Sequence, residues 1–262
     1  MNGIEADSAL VVDSLCKSYA TRSGAYPVLQ RVSFTVPRGA FVSLLGPSGS
    51  GKSTLLNILA GLEPADSGVV RVLGRPPHAP LPVAYMQQKD LLLEWRTVWG
   101  NILLGAEIKS RAQRDAMAEQ ARELLREYRL EDFADVYPAQ LSGGMRQRAA
   151  LIRTLLCEQE ILLLDEPFGA LDALTRRILQ RHLLHVWESM GKTVVLVTHD
   201  VEEALLLSTR IVLLSNSPGR VVDSLEINLP HRVRAQSTEL LRLKTQIYRS
   251  LGHDEENIFQ SA

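Results

Sequence analysis

The sequence has few cysteines and almost no net charge. Its two cysteines, Cys16 and Cys157, are far apart and do not have the spacing of metal ligands. We therefore expect two reduced thiols in a reducing compartment. The 29 lysines and arginines against 30 aspartates and glutamates give a net charge of -1. Because nucleic-acid binding depends on a basic field, no nucleic-acid partner is expected.

Long apolar runs are also missing. The first residues, MNGIEADSAL, lack the basic start and apolar stretch of a signal peptide. No apolar run approaches the roughly 18 residues that a membrane span needs. We therefore expect a chain that does not cross the bilayer by itself, so that any transport role would be exerted through other chains. The 45% apolar content is enough for a sizeable core, and 262 residues suit one large α/β domain or a core with a subdomain.

Short apolar runs are present instead, and four of them predict buried parallel strands: Phe41–Leu45, Ile161–Leu164, Thr193–Val197 and Ile211–Leu214. Runs that are apolar on both faces suit a sheet covered by helices, and the segments between them have helical periodicity. Residues 9–14 and 28–36 alternate instead and are separated by a turn-rich stretch at 21–24, which predicts an antiparallel β layer. Ligands are expected at the carboxyl ends of the parallel strands.

Strand signals fade between about residues 90 and 155, where residues 111–128 have the pattern of an amphipathic helix. The fold class predicted is α/β, with an antiparallel β layer beside the core and an inserted α-helical subdomain. The predicted organisation is a single domain at 8–230 and a C-terminal helix, with its apolar residues at 240–251, and frayed tail at 231–262. The core is expected at 8–88 and 156–230, and the helical subdomain at about 89–155.

A phosphate-binding loop follows the first buried strand. Its residues are Gly46, Pro47, Ser48, Gly49, Ser50, Gly51, Lys52, Ser53 and Thr54, which match G-x-x-x-x-G-K-[ST] before a helical pattern at 55–62. The glycines permit a nest of N–H groups at a helix N-terminus. Lys52 is expected to reach the β- and γ-phosphates and Ser53 to bind Mg²⁺. The loop therefore predicts that the α/β core is a P-loop NTPase core, but alone it does not separate a kinase from a GTPase or a motor.

Two further motifs carry chemistry. Asp165 and Glu166 end a buried strand, so Asp165 is expected to hold the metal and Glu166 to orient and deprotonate the attacking water. A second anion-binding helix start is predicted before the helical run 146–156. Its residues are Leu141, Ser142, Gly143, Gly144 and Met145.

With these motifs in this order, the sequence resembles the ABC ATPase family over about residues 8–225. The family signature reads LSGGQ, and Met145 occupies its fifth position here. The resemblance implies that Tyr19 stacks on adenine and that Gln88 is the Q-loop glutamine, which senses Mg²⁺ and the γ-phosphate. It also implies that Asp172 belongs to the D-loop and that His199 is the switch histidine.

The resemblance further implies an Mg²⁺-dependent ATPase coupled to transport. It implies a head-to-tail homodimer, in which the signature segment of one subunit covers the ATP held by the other. The expected partners are integral-membrane permease subunits and, indirectly, a periplasmic or extracellular solute-binding protein. The expected location is peripheral, on the cytoplasmic face of the inner (plasma) membrane.

Residues 138–148 and 165–172 are similar to the importer branch for nitrate, sulfonates and taurine. Residues 85–98 are similar to ATPases of hydroxymethylpyrimidine or other thiamine-precursor import, although Gln87 and Glu94 stand where prolines are common and Gly100 where an acid is usual. The predicted cargo is a hydroxymethylpyrimidine, and the alternative is nitrate, a sulfonate or taurine. Residues 88–98 are expected to meet the permease, with Trp95 and Trp99 as anchors or core residues.

Two other functions are compatible with a P-loop. One is a soluble ATP-gated clamp that works without a permease. The charge balance argues against it, and so does the lack of a long coiled coil between residues 88 and 141. The other is a small-molecule kinase, which leaves the Ser-Gly-Gly segment and His199 without a role.

Overall fold

The structure is a computed structural model that describes residues 8–22, 24–75, 81–234 and 237–252, with only the backbone of Arg232. The chain forms two compact units. The first combines the stretch up to Pro82 with the stretch from Gly191 onward, and the second is Val83–Met190. The helical subdomain predicted at about 89–155 lies within the second unit, and its boundaries remain a prediction.

The strands of the described residues are β1 (Ser8–Thr21), β2 (Gly24–Pro37), β3 (Phe41–Leu45), β4 (Ser67–Val72), β5 (Val83–Met86), β6 (Ile161–Asp165), β7 (Thr193–Thr198), β8 (Arg210–Leu214) and β9 (Val221–Glu226). The helices are α1 (Lys52–Leu59), α2 (Val98–Ile102), α3 (Arg111–Glu127), α4 (Gly143–Leu155), α5 (Ala173–Met190), α6 (Val201–Leu207), α7 (His231–Arg234) and α8 (Thr238–Ser250). Short 3₁₀ turns lie at Leu104–Ile108, Glu131–Phe133 and Pro138–Gln140.

The first unit contains an antiparallel sheet of order β2-β1-β4, which confirms the predicted β layer. In the middle of β1, Val12 is paired with Phe34 on one side and Val70 on the other. In the other sheet of this unit, β3 lies between β7 and β8 with parallel pairing, and β9 is antiparallel to β8. The side chains of β3 and β7 are buried throughout, as expected for strands covered on both faces.

The second unit contains the parallel pair β5 and β6 and the helices α2 to α5. The predicted helix at 111–128 is confirmed as α3, which begins with a capping box at Ser110 and ends before Tyr128. Among the described residues, no helix combines the length and apolar character that a membrane span requires.

Some helices begin or end at residues other than those that the sequence pattern predicts, because backbone geometry sets the ends. The pattern at 55–62 continues past the end of α1, because Gly61 has a φ of 72° and the N–H of Leu62 turns back to the carbonyl of Asn57. The helix predicted at 146–156 begins three residues earlier in the structure, at Gly143, because Ser142 is its N-cap. The C-terminal helix is α8, and the tail beyond residue 252 lies outside the described residues.

Candidate active site

The phosphate-binding loop joins β3 to α1 in the first unit. Gly49 and Gly51 have φ values of 82° and 86°, a region that favours glycine, and Gly51 is the N-cap of α1. Ser48, Gly49 and Ser53 are exposed along the loop, whereas Ser50 is buried. The loop therefore presents a glycine-built helix N-terminus of the kind that binds phosphate.

Gly46 is required for a different reason from the one predicted. Its φ is not in the left-handed region, but a Cβ added there would lie 2.7 Å from the carbonyl oxygen of Leu214 at the end of β8. Close packing between the start of the loop and the neighbouring strand therefore excludes any side chain at this position.

The Lys52 ammonium is buried inside the loop. Its Nζ donates to the carbonyl oxygens of Gly46 at 2.7 Å and Pro47 at 2.8 Å, and it lies 3.3 Å from the hydroxyl of Ser50. The side chain is thus folded over the concave side of the loop, where a phosphate would exchange for these carbonyl groups.

Tyr19, predicted to stack on adenine, lies at the end of β1 with 40% of its surface exposed. Its hydroxyl donates to Glu63 at 2.9 Å and is 3.5 Å from the hydroxyl of Thr54. The ammonium of Lys17 lies 5.4 Å from the ring centroid and pairs with Glu63 at 3.2 Å. The ring is therefore held beside the first turn of α1, and its stacking on adenine stays a prediction.

His199 follows β7 and is exposed. The next residue, Asp200, is the N-cap of α6, and its carboxylate accepts from the N–H groups of Glu202 and Glu203 at 2.9 and 3.2 Å. The N–H of Asp200 donates to the hydroxyl of Thr198 at 3.0 Å. The backbone on both sides of His199 is thus fixed by a buried strand and a capped helix.

The acidic pair lies at the end of β6 in the second unit. Asp165 is 2% exposed, and burial, followed by the negative charge of Asp165, raises the pKa of Tyr85. Glu166 has a φ of 48°, so its side chain leaves the line of the strand. Its Oε2 accepts from the amide nitrogen of Gln88 at 3.4 Å. The structure therefore brings together the predicted general base and the predicted Q-loop glutamine.

Gln147 is a site residue that the sequence pattern does not single out. It lies on α4 and is 7% exposed. Its amide nitrogen donates to the carbonyl of Glu166 at 2.8 Å, and its amide oxygen accepts from the N–H of Ala170 at 2.9 Å. One buried amide therefore joins α4 to the backbone between the acidic pair and the predicted D-loop.

The predicted signature begins α4. The hydroxyl of Ser142 accepts from the N–H of Met145 at 3.3 Å, and Leu141 is buried. Gly143 has open space where a Cβ would be, whereas a Cβ on Gly144 would meet Leu171 at 3.2 Å. The signature turn therefore has an open face at Gly143 and packs against the D-loop at Gly144.

Asp172, predicted to belong to the D-loop, caps the start of α5. Its carboxylate accepts from the N–H of Thr175 at 3.0 Å, and its own carbonyl accepts from the N–H of Arg176. The hydrogen bonds from Thr175 hold the pKa of Asp172 below its ordinary value.

The segment after Gln88 is held by Asn101, which is fully buried. The amide oxygen of Asn101 accepts from the N–H of Leu93 at 2.7 Å. Its amide nitrogen donates to the carbonyls of Leu93, Arg96 and Thr97 at 3.0 to 3.1 Å. A polar side chain in the core thus fixes a loop that has no regular secondary structure.

Two arginines of α4 hold the same segment. Arg146 pairs with Asp90 at 3.3 Å and with Glu94 at 3.8 Å, so the glutamate that replaces a common proline contacts the signature helix. Arg153 donates to the carbonyls of Asp90 and Leu91 at 2.7 and 2.8 Å. Burial lowers the pKa of Arg153.

The two tryptophans of this region have different surroundings. Trp95 is 73% exposed, so it is not a core residue. Trp99 is partly buried, and the guanidinium of Arg122 lies 5.5 Å from its ring. Trp99 and Arg122 line a cleft of about 430 Å³ in the second unit together with Arg126, Glu131 and Asp135.

The predicted magnesium ligands are oxygen donors: the hydroxyl of Ser53, the amide of Gln88 and the carboxylate of Asp165. Mg²⁺ prefers such hard ligands and usually retains water and substrate phosphate oxygens. Each of these donors is therefore of the type that Mg²⁺ prefers, and their joint binding of the ion stays a prediction.

The predicted site residues are divided between the two units. Tyr19, the phosphate-binding loop and His199 belong to the first unit. The second unit brings together Gln88, the acidic pair, the signature and the D-loop. A strand, glycine-rich loop and helix combined with such an acidic strand end define a P-loop nucleoside triphosphatase.

Comparison with known proteins narrows this class. A family model described as ABC transporter matches residues 29–169. The chain is 44% identical to the taurine import ATP-binding protein TauB of Rhizobium johnstonii, over 85% of this chain and 86% of that protein. It is 38% identical to the aliphatic sulfonates import ATP-binding protein SsuB of Bacillus thuringiensis subsp. konkukian, over 92% of this chain and 95% of that protein.

A solved structure supports the same class. The dimeric post-hydrolysis state of the ATP-binding cassette MJ0796, bound to ADP and Pi, superposes with a TM-score of 0.75 at 30% identity. The match covers 84% of this chain and all of that one. The chain therefore belongs to the ABC transporter family of ATP-binding subunits. The predicted fold class and the predicted ATPase are confirmed.

Proposed function

We propose that the chain is the ATP-hydrolysing subunit of an importer for taurine or an aliphatic sulfonate. The observation that carries this proposal is that a phosphate-binding loop, an acidic strand end and a capped signature helix occur in one chain whose relatives are named for taurine and aliphatic sulfonate import. These relatives support the sulfonate and taurine alternative. They do not support the predicted hydroxymethylpyrimidine cargo.

The working assembly is a homodimer on the cytoplasmic face of the inner (plasma) membrane. It is bound to integral-membrane permease subunits, which receive the solute from a solute-binding protein. The amides of Gly143 and Gly144 and the hydroxyl of Ser142 supply an anion-binding surface for the ATP held by the other subunit. ATP then stabilises the closed dimer, and hydrolysis removes the contacts to the γ-phosphate.

Each catalytic residue has a role that follows from its position. Lys52 donates from Nζ to the phosphates, and Glu166 accepts a proton from the attacking water. Gln88 donates to Glu166 and so orients that carboxylate. His199, at the end of β7, donates to the γ-phosphate. Mg²⁺, when bound, neutralises charge on the β- and γ-phosphates.

Glu166→Gln tests the assignment of the general base. An amide cannot accept the proton from water, so we expect turnover to fall by about 10² to 10⁴ while ATP still binds. Steady-state phosphate release and equilibrium ATP binding measure the two effects. Glu160→Gln, the same change just before β6, is the matched control and should have normal turnover. Normal hydrolysis by Glu166→Gln would contradict the assignment.

The cargo is tested by purifying tagged Glu166→Gln from membranes with ATP and identifying the proteins bound to it. The associated solute-binding protein is then titrated with taurine, alkanesulfonates, nitrate and hydroxymethylpyrimidine. Binding of taurine or an alkanesulfonate supports the proposal. Selective binding of nitrate or of the pyrimidine would overturn the cargo, and the absence of any membrane partner would overturn the importer.

Trp95 is the proposed anchor for the permease, because it is an exposed large aromatic in the segment held by Asn101. We expect Trp95→Ala to reduce the amount of permease recovered in the same purification and to leave thermal stability unchanged. Ile108→Ala, which alters another exposed apolar residue of the second unit, is the control. Equal recovery with both variants would count against the anchor role.

A further inference from the structure

A buried arginine lies in the C-terminal segment of the first unit. Arg234 is 1% exposed, and its Nη1 donates to the carbonyls of Leu205, Leu206 and Ser208 at 3.1, 3.1 and 2.7 Å. Its Nε donates to the carbonyl of Leu229 at 2.9 Å. Burial lowers its pKa to about 10. Among the described residues it has no carboxylate partner, so carbonyl oxygens alone compensate the desolvation of this charge.

The three carbonyl groups that Nη1 of Arg234 binds belong to the last turn and the C-cap of α6. The last carbonyls of a helix have no partner within the helix, and the negative end of the helix dipole favours a cation. Arg234 therefore caps α6 from a distant part of the chain. Because α6 has only seven residues, it depends on such contacts, since isolated helices this short are unstable in water.

The C-terminal helix α8 holds the other parts of α6. Lys244 of α8 pairs with Glu202 in the first turn of α6 at 2.7 Å. Ile247 of α8 is fully buried in a cluster that includes Ala204 and Leu205 of α6. The C-terminal segment thus contacts the start, the middle and the end of this short helix.

The start of α6 is also where His199 is fixed. His199 is followed directly by Asp200, which caps α6, and preceded by Thr198, whose hydroxyl accepts from the N–H of Asp200. A shift of α6 therefore displaces the backbone that carries the imidazole. We propose that Arg234 is a positioning residue for His199, acting by fixing α6 in place. This inference rests on the proposed ATPase function, in which His199 contacts the γ-phosphate.

Arg234→Met tests the proposal, with Arg242→Met on the exposed face of α8 as the matched control. We expect kcat to fall by about 10- to 100-fold, because small displacements of a catalytic group have effects of this size. We expect the affinity for ATP to be unchanged, since the hydrogen bonds of Arg234 among the described residues go to residues 205–208 and 229, outside the phosphate-binding loop. We also expect the NMR signal of the His199 imidazole to shift, assigned among the six histidines with a His199→Gln sample.

A rescue experiment separates positioning from a general loss of folding. Arg234→Ala leaves a space that a free guanidinium ion fits, so guanidinium chloride at non-denaturing concentration should restore part of the kcat and the His199 signal. The ion should have no such effect on Arg242→Ala. If Arg234→Met does not fold, Lys244→Met is the second variant and should produce a smaller change of the same kind.

The outcomes distinguish this inference from the proposed function. A folded Arg234→Met with normal kcat and an unchanged His199 signal overturns the inference and leaves the ATPase intact. The same result for Lys244→Met overturns it where Arg234→Met is unfolded. A wild-type chain that does not hydrolyse ATP overturns the proposed function, and the His199 signal then still decides whether Arg234 sets the position of this side chain.

Discussion

The imidazole of His182 on α5 lies edge-on against the buried ring of Tyr128, with ring centroids 5.7 Å apart. Burial lowers the pKa of His182. Charged neighbours modify it in both directions, since Glu127 raises the pKa, whereas Arg181, His185 and Arg129 lower it. Because the folded-state pKa lies below the unfolded value of about 6.5, the unfolded chain binds the proton first. The contribution of neutral His182 to stability is therefore fully present above about pH 6.5. It is lost as the pH falls from there through the folded-state pKa.

We expect His182→Gln to reduce this dependence on pH. The variant removes the ring contact at every pH, so its stability is lower throughout, but the loss between about pH 7.5 and 5.5 should be smaller than in the wild type. Urea unfolding at several pH values measures the free energy. His185→Gln, on the exposed side of the same helix, removes one of the charges that lower this pKa and should therefore reduce the slope by less than His182→Gln does. Parallel curves for the wild type and His182→Gln would refute the prediction.

Single residues were predictable from the sequence where their chemistry is local. Lys52 and Glu166 belong to contiguous motifs, so spacing alone is enough to propose them as site residues. Gln147, Asn101 and Arg234 act instead on main-chain atoms of other segments. A backbone carbonyl has no side-chain signal in the sequence, so no pattern indicates which polar residue will bind it.

Helices α3 and α4 begin with the same kind of cap, which gives a matched pair for a test. The hydroxyls of Ser110 and Ser142 each accept from the N–H three residues later, at 3.4 and 3.3 Å. We expect Ser110→Ala and Ser142→Ala each to lower the free energy of unfolding by about 0.5 to 2 kcal/mol. Only Ser142→Ala should also reduce ATP hydrolysis, because only that cap belongs to the signature. Normal hydrolysis by a folded Ser142→Ala would rule out its role.

Among whole elements, the buried strands were the most predictable. Apolar runs predicted β3, and predicted β6, β7 and β8 to within a residue at one end, because both faces of these strands are covered. β4, β5 and β9 were not predicted. The burial of β4 is partial and irregular, and β5 is very short. The burial of β9 alternates, but the polar Asp223 occupies one of its more buried positions, so neither a solid apolar run nor a clear apolar alternation marks these strands in the sequence.

At the scale of the molecule, ATP should control assembly. We expect Glu166→Gln to form a dimer in the presence of ATP and Mg²⁺. The bound ATP is not hydrolysed, so it keeps its contacts with both subunits. Removing the metal with EDTA should return it to monomer, which analytical ultracentrifugation measures. Glu160→Gln should not accumulate as a dimer under the same conditions. A Glu166→Gln chain that stays monomeric with ATP and Mg²⁺ would contradict the head-to-tail assembly.

The sequence predicts the ATPase function better than it predicts the transported solute. Motifs for binding and hydrolysing ATP lie within the chain, so their order alone indicates the class. In the proposed importer the solute contacts the permease and the solute-binding protein, so none of these residues is selected by direct contact with it. Similarity to named relatives is then the available guide to cargo, and it favours taurine and aliphatic sulfonates.

The side chain of Gln147 joins α4 to the backbone of Glu166. In the proposed dimer these two features serve different nucleotides, because α4 meets the ATP held by the other subunit and Glu166 acts on the ATP of its own. We therefore expect the loading of one nucleotide to affect the catalytic carboxylate at the other. Hydrolysis should then depend sigmoidally on ATP concentration. A cell short of ATP would stop importing abruptly, and would not waste its remaining ATP on single, unproductive turnovers.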